Sequence, residues 1–352
     1  MRWNNFSIWA CGLALTGLAA CEHTVSMETS VHPDGQLDKV IILEVDKKTK
    51  KIEESFVRFV DRVHLAEWQP LDSTEISTHL KPKEGKKFVG FKNSFASSEE
   101  ANQHLAMAND TLFRVTSSFD KKFRWFFTYI SYSDTYHAIN RLSLPAEDFF
   151  TREDFQFINR LPAEGKAIAP ADSLYLKMLN EKITDHYGNR ALFDAYFNLL
   201  VNLVQTELPG TDHLGKLSSN REKFFQLVLN DKDVDDNFLQ AFADSLQIPL
   251  KLDSFPEYVL AKNQLEQTIN FISTAYDGKY THAIHMPWTI VKTNADSVAG
   301  NTAYWAPPAI KFLLKDYTLS AEARKTNYWA IGVTVLLLAG MGWLLRVRKE
   351  RI

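Results

Sequence analysis

The sequence predicts an α+β protein: an antiparallel β-rich ectodomain with an inserted all-helical subdomain, followed by one C-terminal transmembrane helix. Three observations lead to that class. Apolar residues alternate at period two over about 24–136 and again over about 280–320. Helical spacing fills about 146–276 between them. The 18 residues 328–345, YWAIGVTVLLLAGMGWLL, carry no charge.

The chain opens on an export-type segment. Arg2 precedes an apolar run at 8–20, a short positive stretch followed by an apolar core. That run is too short for a hydrocarbon layer that needs about 20 residues. It ends in Leu18-Ala19-Ala20-Cys21, which resembles the lipobox of bacterial lipoproteins. The resemblance implies a signal peptide over 1–20 and cleavage before Cys21. It also implies acylation of the Cys21 sulfur with diacylglycerol, palmitate being the acyl group. The only other cysteine, Cys11, would leave with the signal. The mature chain is then expected to hold no disulfide and no cysteine-based metal site.

The β-rich part is expected over 21–145. Val25, Met27, Thr29 and Val31 alternate with polar neighbours, and Leu37, Lys39, Ile41, Leu43 and Val45 alternate beyond them. His32-Pro33-Asp34-Gly35 supplies the turn, because proline presets φ and glycine accepts a positive one. A second hairpin is predicted to join 111–118 to 123–132 through Asp120-Lys121-Lys122. Phe123, Trp125, Phe127 and Tyr129 then share one face and read as sheet core. A helix over 98–109 is announced by Ser97 and Glu100, spaced as a capping box.

The helical insertion is expected over 146–277. Ser219-x-x-Glu222 and Ser254-x-x-Glu257 read as further capping boxes, the second with Pro256 in the first turn. Leu192, Tyr196, Leu199, Leu200 and Leu203 make 191–208 amphipathic, and Pro209-Gly210 stops it. The β pattern returns over 278–325, with candidate strands at 281–286, 288–293, 302–305 and 310–320, and with turn chemistry at 294–301. This order favours a helical block inserted into one sheet system over two tandem domains. If the first and last strands are neighbours, their ends meet the membrane together, and the helical block projects outward from a sheet that acts as a stalk.

The transmembrane helix is expected over 326–345. Eighteen residues rise about 27 Å, close to the core thickness of a bilayer. Trp329 and Trp343 lie near the two ends, where aromatic belts form. The tail 346–352 carries Arg346, Arg348, Lys349 and Arg351. By the positive-inside rule it is cytoplasmic, with the bulk of the chain on the outer side of a bacterial cytoplasmic membrane.

Catalytic motifs are absent from the sequence: no glycine-rich phosphate loop, no G-x-S-x-G and no H-E-x-x-H. His282 and His285 would point to opposite faces of a strand, as solvated or half-buried side chains rather than metal ligands. Asp231, Asp233, Asp235 and Asp236 alternate as in a calcium loop but lack its glycine and its closing glutamate. Asp235 or Asp236 reads better as a helix N-cap. Glu153 and Asp154 suit a first helical turn. Asp134 and His137 sit among Tyr132 and Tyr136 with no nucleophile fixed beside them. No metal and no cofactor is implied. A net charge of −3 gives no basic surface for nucleic acid.

The chain ends, LAAC…VHPDGQLDKV and MPWTIVKTNADSVAGNTAYW followed by a membrane helix, resemble envelope lipoproteins of the LppM type. The shared segments are Pro33-Asp34-Gly35, 294–305 and the two anchors, about a third of the chain. The resemblance implies a non-catalytic binding role, with lipid among the ligands, and defines no ligand residue. The expected function is therefore a non-enzymatic module that binds a protein or lipid partner near the cytoplasmic membrane. It would be held there by lipid on Cys21 and by the C-terminal helix. The alternative is an envelope hydrolase whose site assembles from dispersed residues. An exposed aromatic patch would favour binding, and an accessible cleft of convergent titratable groups would favour hydrolysis.

Overall fold

A computed structural model describes residues 24–45, 59–60, 63–80, 86–107, 112–230 and 238–349. The segment 1–20, Cys21 and the acidic residues 231–236 lie outside them.

β1 (Thr24–Val31) and β2 (Leu37–Val45) form the predicted hairpin, with Val31 opposite Leu37. Gly35 closes it at φ +100°, and a Cβ there would meet the Phe119 ring at 3.2 Å, so the turn needs glycine on both counts. β3 (Gln69–Pro70), α1 (Ser73–His79) and β4 (Lys87–Phe95) follow, then α2 (Ser98–Leu105). Ser97 caps α2 as its sequence predicts, Oγ accepting from the Glu100 amide at 3.3 Å.

β5 (Val115–Arg124) and β6 (Phe127–Tyr136) form the second hairpin, with its turn at Trp125-Phe126 rather than at the polar triplet 120–122. The helical block comprises α3 (Arg152–Arg160), α4 (Pro170–Glu181), α5 (Asn189–Glu207), α6 (His213–Asn230), α7 (Phe238–Ser245) and α8 (Pro256–Tyr276). A π-helical turn, Lys182–Gly188, joins α4 to α5. Pro256 opens α8 as expected. The two capping boxes predicted here do not form: Ser219 lies inside α6 and donates to the Gly215 carbonyl, and Ser254 donates to the Lys251 carbonyl.

The chain then returns to β structure in β7 (Lys279–His285), β8 (Thr289–Thr293), β9 (Ser297–Ala299) and β10 (Thr302–Trp305). The strand expected at 310–320 begins late. A 3-10 turn occupies Ala309–Phe312, and β11 spans Tyr317–Thr326. Last comes α9 (Tyr328–Lys349).

Two sheets result, ordered β3-β4-β2-β1-β7-β10-β9 and β5-β6-β11-β8. Each is built from both sides of the helical block. β1 runs parallel to β7, Thr24 opposite Lys279, and β6 runs antiparallel to β11, Tyr136 opposite Tyr317. A parallel pair needs a long crossover, and the helical block lies within it. The first and last strands, whose adjacency would have brought both chain ends to the membrane together, belong to different sheets.

The sheets face one another across a core that includes Met27, Ile41, Val115, Ile130, Tyr136, Ile284 and Leu319. A second core, containing Phe193, Leu200, Phe224, Phe242 and Tyr258, lies within the helical block.

Candidate functional sites: an aromatic tip on the C-terminal apolar helix and a buried charge cluster

The β5–β6 turn and α9 meet at one end of the molecule. Asn327 fastens them. Its Nδ2 donates to the carbonyls of Arg124 and Trp125 at 3.0 and 3.2 Å, and its amide donates to the Phe126 carbonyl at 2.8 Å. Thr128 Oγ1 donates to its Oδ1 at 3.0 Å. Against this clamp Phe123 stacks on Trp329 with centroids 6.1 Å apart, and Trp125 meets the same ring edge-on at 5.6 Å. Trp125 Nε1 donates to Thr334 Oγ1 at 2.8 Å.

The aromatic stripe predicted as sheet core is therefore split. Phe123, Trp125 and Phe126 remain 58%, 46% and 41% exposed, and Phe127 and Tyr129 are half-buried. Lys121, Lys122, Arg124 and Arg324 surround the tip, with Arg324 over the Phe127 ring at 4.4 Å.

The segment Tyr328–Arg346 has a mean hydropathy of 1.8, and only 6% of it is buried. It is long and apolar enough to cross a membrane. Trp329 lies in its first turn and Trp343 near its far end, both largely exposed. Arg346, Arg348 and Lys349 occupy the last turn. Cys21 lies outside the described residues.

The second cluster is sealed between the sheets. Lys39 on β2 and Asp134 on β6 are both fully buried, with Nζ 2.9 Å from Oδ2 and 3.0 Å from Oδ1. Lys39 also donates to Thr29 Oγ1 and Tyr132 OH, each at 3.0 Å. Asp134 accepts from Ser117 Oγ, Tyr132 OH and Thr29 Oγ1 at 2.6, 2.7 and 3.1 Å. His282 Nε2 lies 3.0 Å from Asp134 Oδ2, and its Nδ1 is 3.0 Å from Tyr136 OH. His282 is thus fully enclosed rather than solvated. His285, on the other face of β7, is half-exposed and meets Glu28 and Thr302.

Burial alone would raise the Asp134 carboxyl, but Lys39, His282 and the hydroxyl donors outweigh it and hold the group well below the carboxylate range. Burial pushes Lys39 and His282 down and the Tyr132 and Tyr136 phenols up. The cluster contains the residue types of acid–base chemistry but offers substrate no access. Its geometry is that of a polar staple between two sheets.

Because its folded pKa is depressed, His282 takes up its proton more readily in the unfolded chain, so stability should rise with pH through its ordinary range near 6.5. One proton accounts for up to about 1.4 kcal/mol per pH unit. Denaturant titrations at pH 5, 6 and 7 should show this slope, and His282→Gln should reduce it. An unchanged slope in the variant would assign it to other groups.

A shallow polar cleft is lined by Arg160, Asn294, Asp296, Lys311, Asp316 and Tyr317. Its carboxylates are already engaged: Asp296 accepts from the Ala306 amide and Asp316 from the Ala138 amide, with Asp316 also 2.9 Å from His137 Nδ1.

A run of four aromatics in five residues, Phe123 to Phe127, was the sequence signal for the tip. The buried cluster gave a weaker one. Lys39 stood in the apolar alternation of β2, but nothing local pointed to a partner 95 residues away.

No protein-family model matches the sequence, and no curated protein does. The fold is loosely similar to the NMR structure of the folded domain of LppM from Mycobacterium tuberculosis, at 10% identity and a TM-score of 0.27, over 89% of this chain and 95% of that one. A likeness that loose transfers neither fold nor role.

Proposed function

We propose that this chain is a non-catalytic module of the bacterial cell envelope, held at the cytoplasmic membrane by α9 and by lipid on Cys21. It presents its helical block to a protein or lipid partner. The observation that carries this reading is the aromatic tip seated on the first turns of an apolar helix. Once α9 spans a bilayer, Phe123, Trp125 and Phe126 reach the interfacial zone that aromatic side chains favour, with lysine and arginine beside them at headgroup level. The hydrolase alternative would need accessible acid–base groups, and the Lys39–Asp134–His282 cluster is sealed between the sheets. The tail cations support a cytoplasmic C-terminus.

The two anchors also constrain posture. Phe119 packs on Gly35, and Lys121 donates to the Pro33 carbonyl at 2.8 Å, so the β1–β2 turn points towards the tip. Tyr136, paired with Val115 at the far end of the hairpin, lies beside Tyr280, which pairs with Val25. β1 therefore starts at the end remote from the tip. Ten strand residues cover about 33 Å, whereas the three residues from Cys21 to Thr24 reach only about 11 Å. Lipid on Cys21 and the tip share one bilayer when the sheets lie along the membrane instead of standing on it as a stalk.

Membrane fractionation with fatty-acid labelling tests the reading. Cys21→Ala should abolish labelling, and truncation after Thr326 should leave a lipidated, membrane-bound protein. Only the combination should release it to the soluble fraction. Labelling that survives Cys21→Ala, or full release by the truncation alone, would overturn the double anchor.

A further inference from the structure

We propose that His64, Glu67 and His104 form a binding site for one divalent transition-metal ion, zinc by ligand chemistry. His64 and Glu67 bracket the 3-10 turn Leu65–Glu67, and His104 lies in the last turn of α2. Glu67 divides its oxygens between the two rings. Oε1 lies 3.2 Å from His64 Nδ1, and Oε2 lies 3.4 Å from His104 Nε2. All three ligand atoms fall within 4.8 Å of one another. Zinc bonds of about 2.0–2.1 Å make a tetrahedron with edges of about 3.4 Å, so the nitrogen–oxygen separations are those of adjacent corners. Two imidazoles and one carboxylate are a ligand set with which zinc keeps its fourth position for water. Glu67, with a half-exposed side chain, leaves that position open to solvent.

The packing around the site supports a ligand role for His104. Its side chain is only 6% exposed. Phe95 meets the ring edge-on at 5.1 Å and is itself backed by Trp68 at 5.8 Å. The His64 and His104 rings lie 4.2 Å apart between centroids. Such an approach suits two neutral rings turned to one cation and is unfavourable for two imidazolium ions. Glu28 sits between His79 and His285 in a different way: a single oxygen, Oε2, serves both rings at 2.8 and 3.3 Å.

Full-length protein in detergent, stripped with a chelator and dialysed, can be titrated with Zn²⁺ against a chromophoric competitor, and with Co²⁺ for its visible spectrum. The expected result is one saturable zinc per chain and a tetrahedral Co²⁺ band. Affinity should fall at least about tenfold in His64→Ala and in Glu67→Gln and should be unchanged in Glu28→Gln. The two losing variants alter side chains that are 24% and 54% exposed, and an apo melting temperature equal to that of the wild type confirms that they fold. Absence of saturable binding by the wild type, or binding that survives both His64→Ala and Glu67→Gln, overturns the site.

Discussion

Asp134→Ala is expected to destabilise the protein by about 3–5 kcal/mol, the loss typical of leaving a buried charge unpaired. The substitution removes the acceptor for Lys39, Ser117 and Tyr132 and leaves the Lys39 ammonium without its counter-ion at zero exposure. Domain stabilities of about 5–15 kcal/mol make that a large fraction of the whole. The double variant Lys39→Met/Asp134→Leu should be less damaged than Asp134→Ala alone. It removes both charges and fills their volume, and Tyr132 OH can still donate to Ser117 Oγ at 3.1 Å. Urea unfolding of the three proteins decides the matter. If the double variant is as unstable as the single one, the hydroxyl bonds rather than the charge pair hold the sheets.

The pH dependence of this staple has a definite sign. The Asp134 carboxyl is depressed in the folded state, so its contribution is full above the unfolded value near 3.9 and is lost as the pH falls below it. His282 weakens the fold earlier, below about 6.5, because the unfolded chain accepts the proton that the buried ring resists. Acid should therefore weaken the fold over two pH ranges, the histidine's first.

The fold class was legible because period two and period 3.6 alternate in long blocks, and because an 18-residue uncharged run has few soluble uses. The β1–β2 hairpin was legible for local reasons: proline, aspartate and glycine in one turn. The β5–β6 turn was misplaced by the same local logic. Asp120-Lys121-Lys122 has the polarity of a turn, but the strands continue through it to Trp125-Phe126, where the turn packs on an apolar helix instead of facing water alone. Ser219 and Ser254 show the limit of spacing rules. Serine followed three residues later by glutamate occurs inside helices as well as at their starts, and only the backbone amides left free at a true N-terminus distinguish the two. The late start of β11 follows from the 3-10 turn Ala309–Phe312, entered from Pro308, which takes up the first residues of the expected strand. The pairings that define the sites lie far apart in sequence: Lys39 with Asp134, His64 with His104, Trp125 with Thr334. No local pattern encodes them.

Excising residues 193–268 behind a short Gly/Ser linker should leave the two sheets folded, whereas excising 146–277 should not. The helices begin near 146, but the core does not divide there. Phe157, Ile158, Leu161, Leu179, Ile183, Tyr187, Ala191, Leu192, Phe271, Ile272 and Ala275 belong to the same buried cluster as the sheet residues. Losing a large core side chain costs about 2–5 kcal/mol, so removing this group exceeds any ordinary domain stability. The second cluster begins at Phe193 and includes Leu200, Leu217, Phe224, Phe242 and Tyr258. The boundary crosses α5 between Leu192 and Phe193 and crosses α8 near Ile269, which touches both clusters. α5 and α8 pack against each other, so a short linker can join the cut helices. The smaller excision should keep cooperative melting, with a loss of about 1–3 kcal/mol from trimming Ile269 and its neighbours. If binding of an envelope partner in crosslinking experiments then disappears while the sheets stay folded, the outer helical block is the presenting surface. If the smaller excision abolishes folding, the two clusters act as one cooperative unit, and the outer helical core cannot be separated from the sheets.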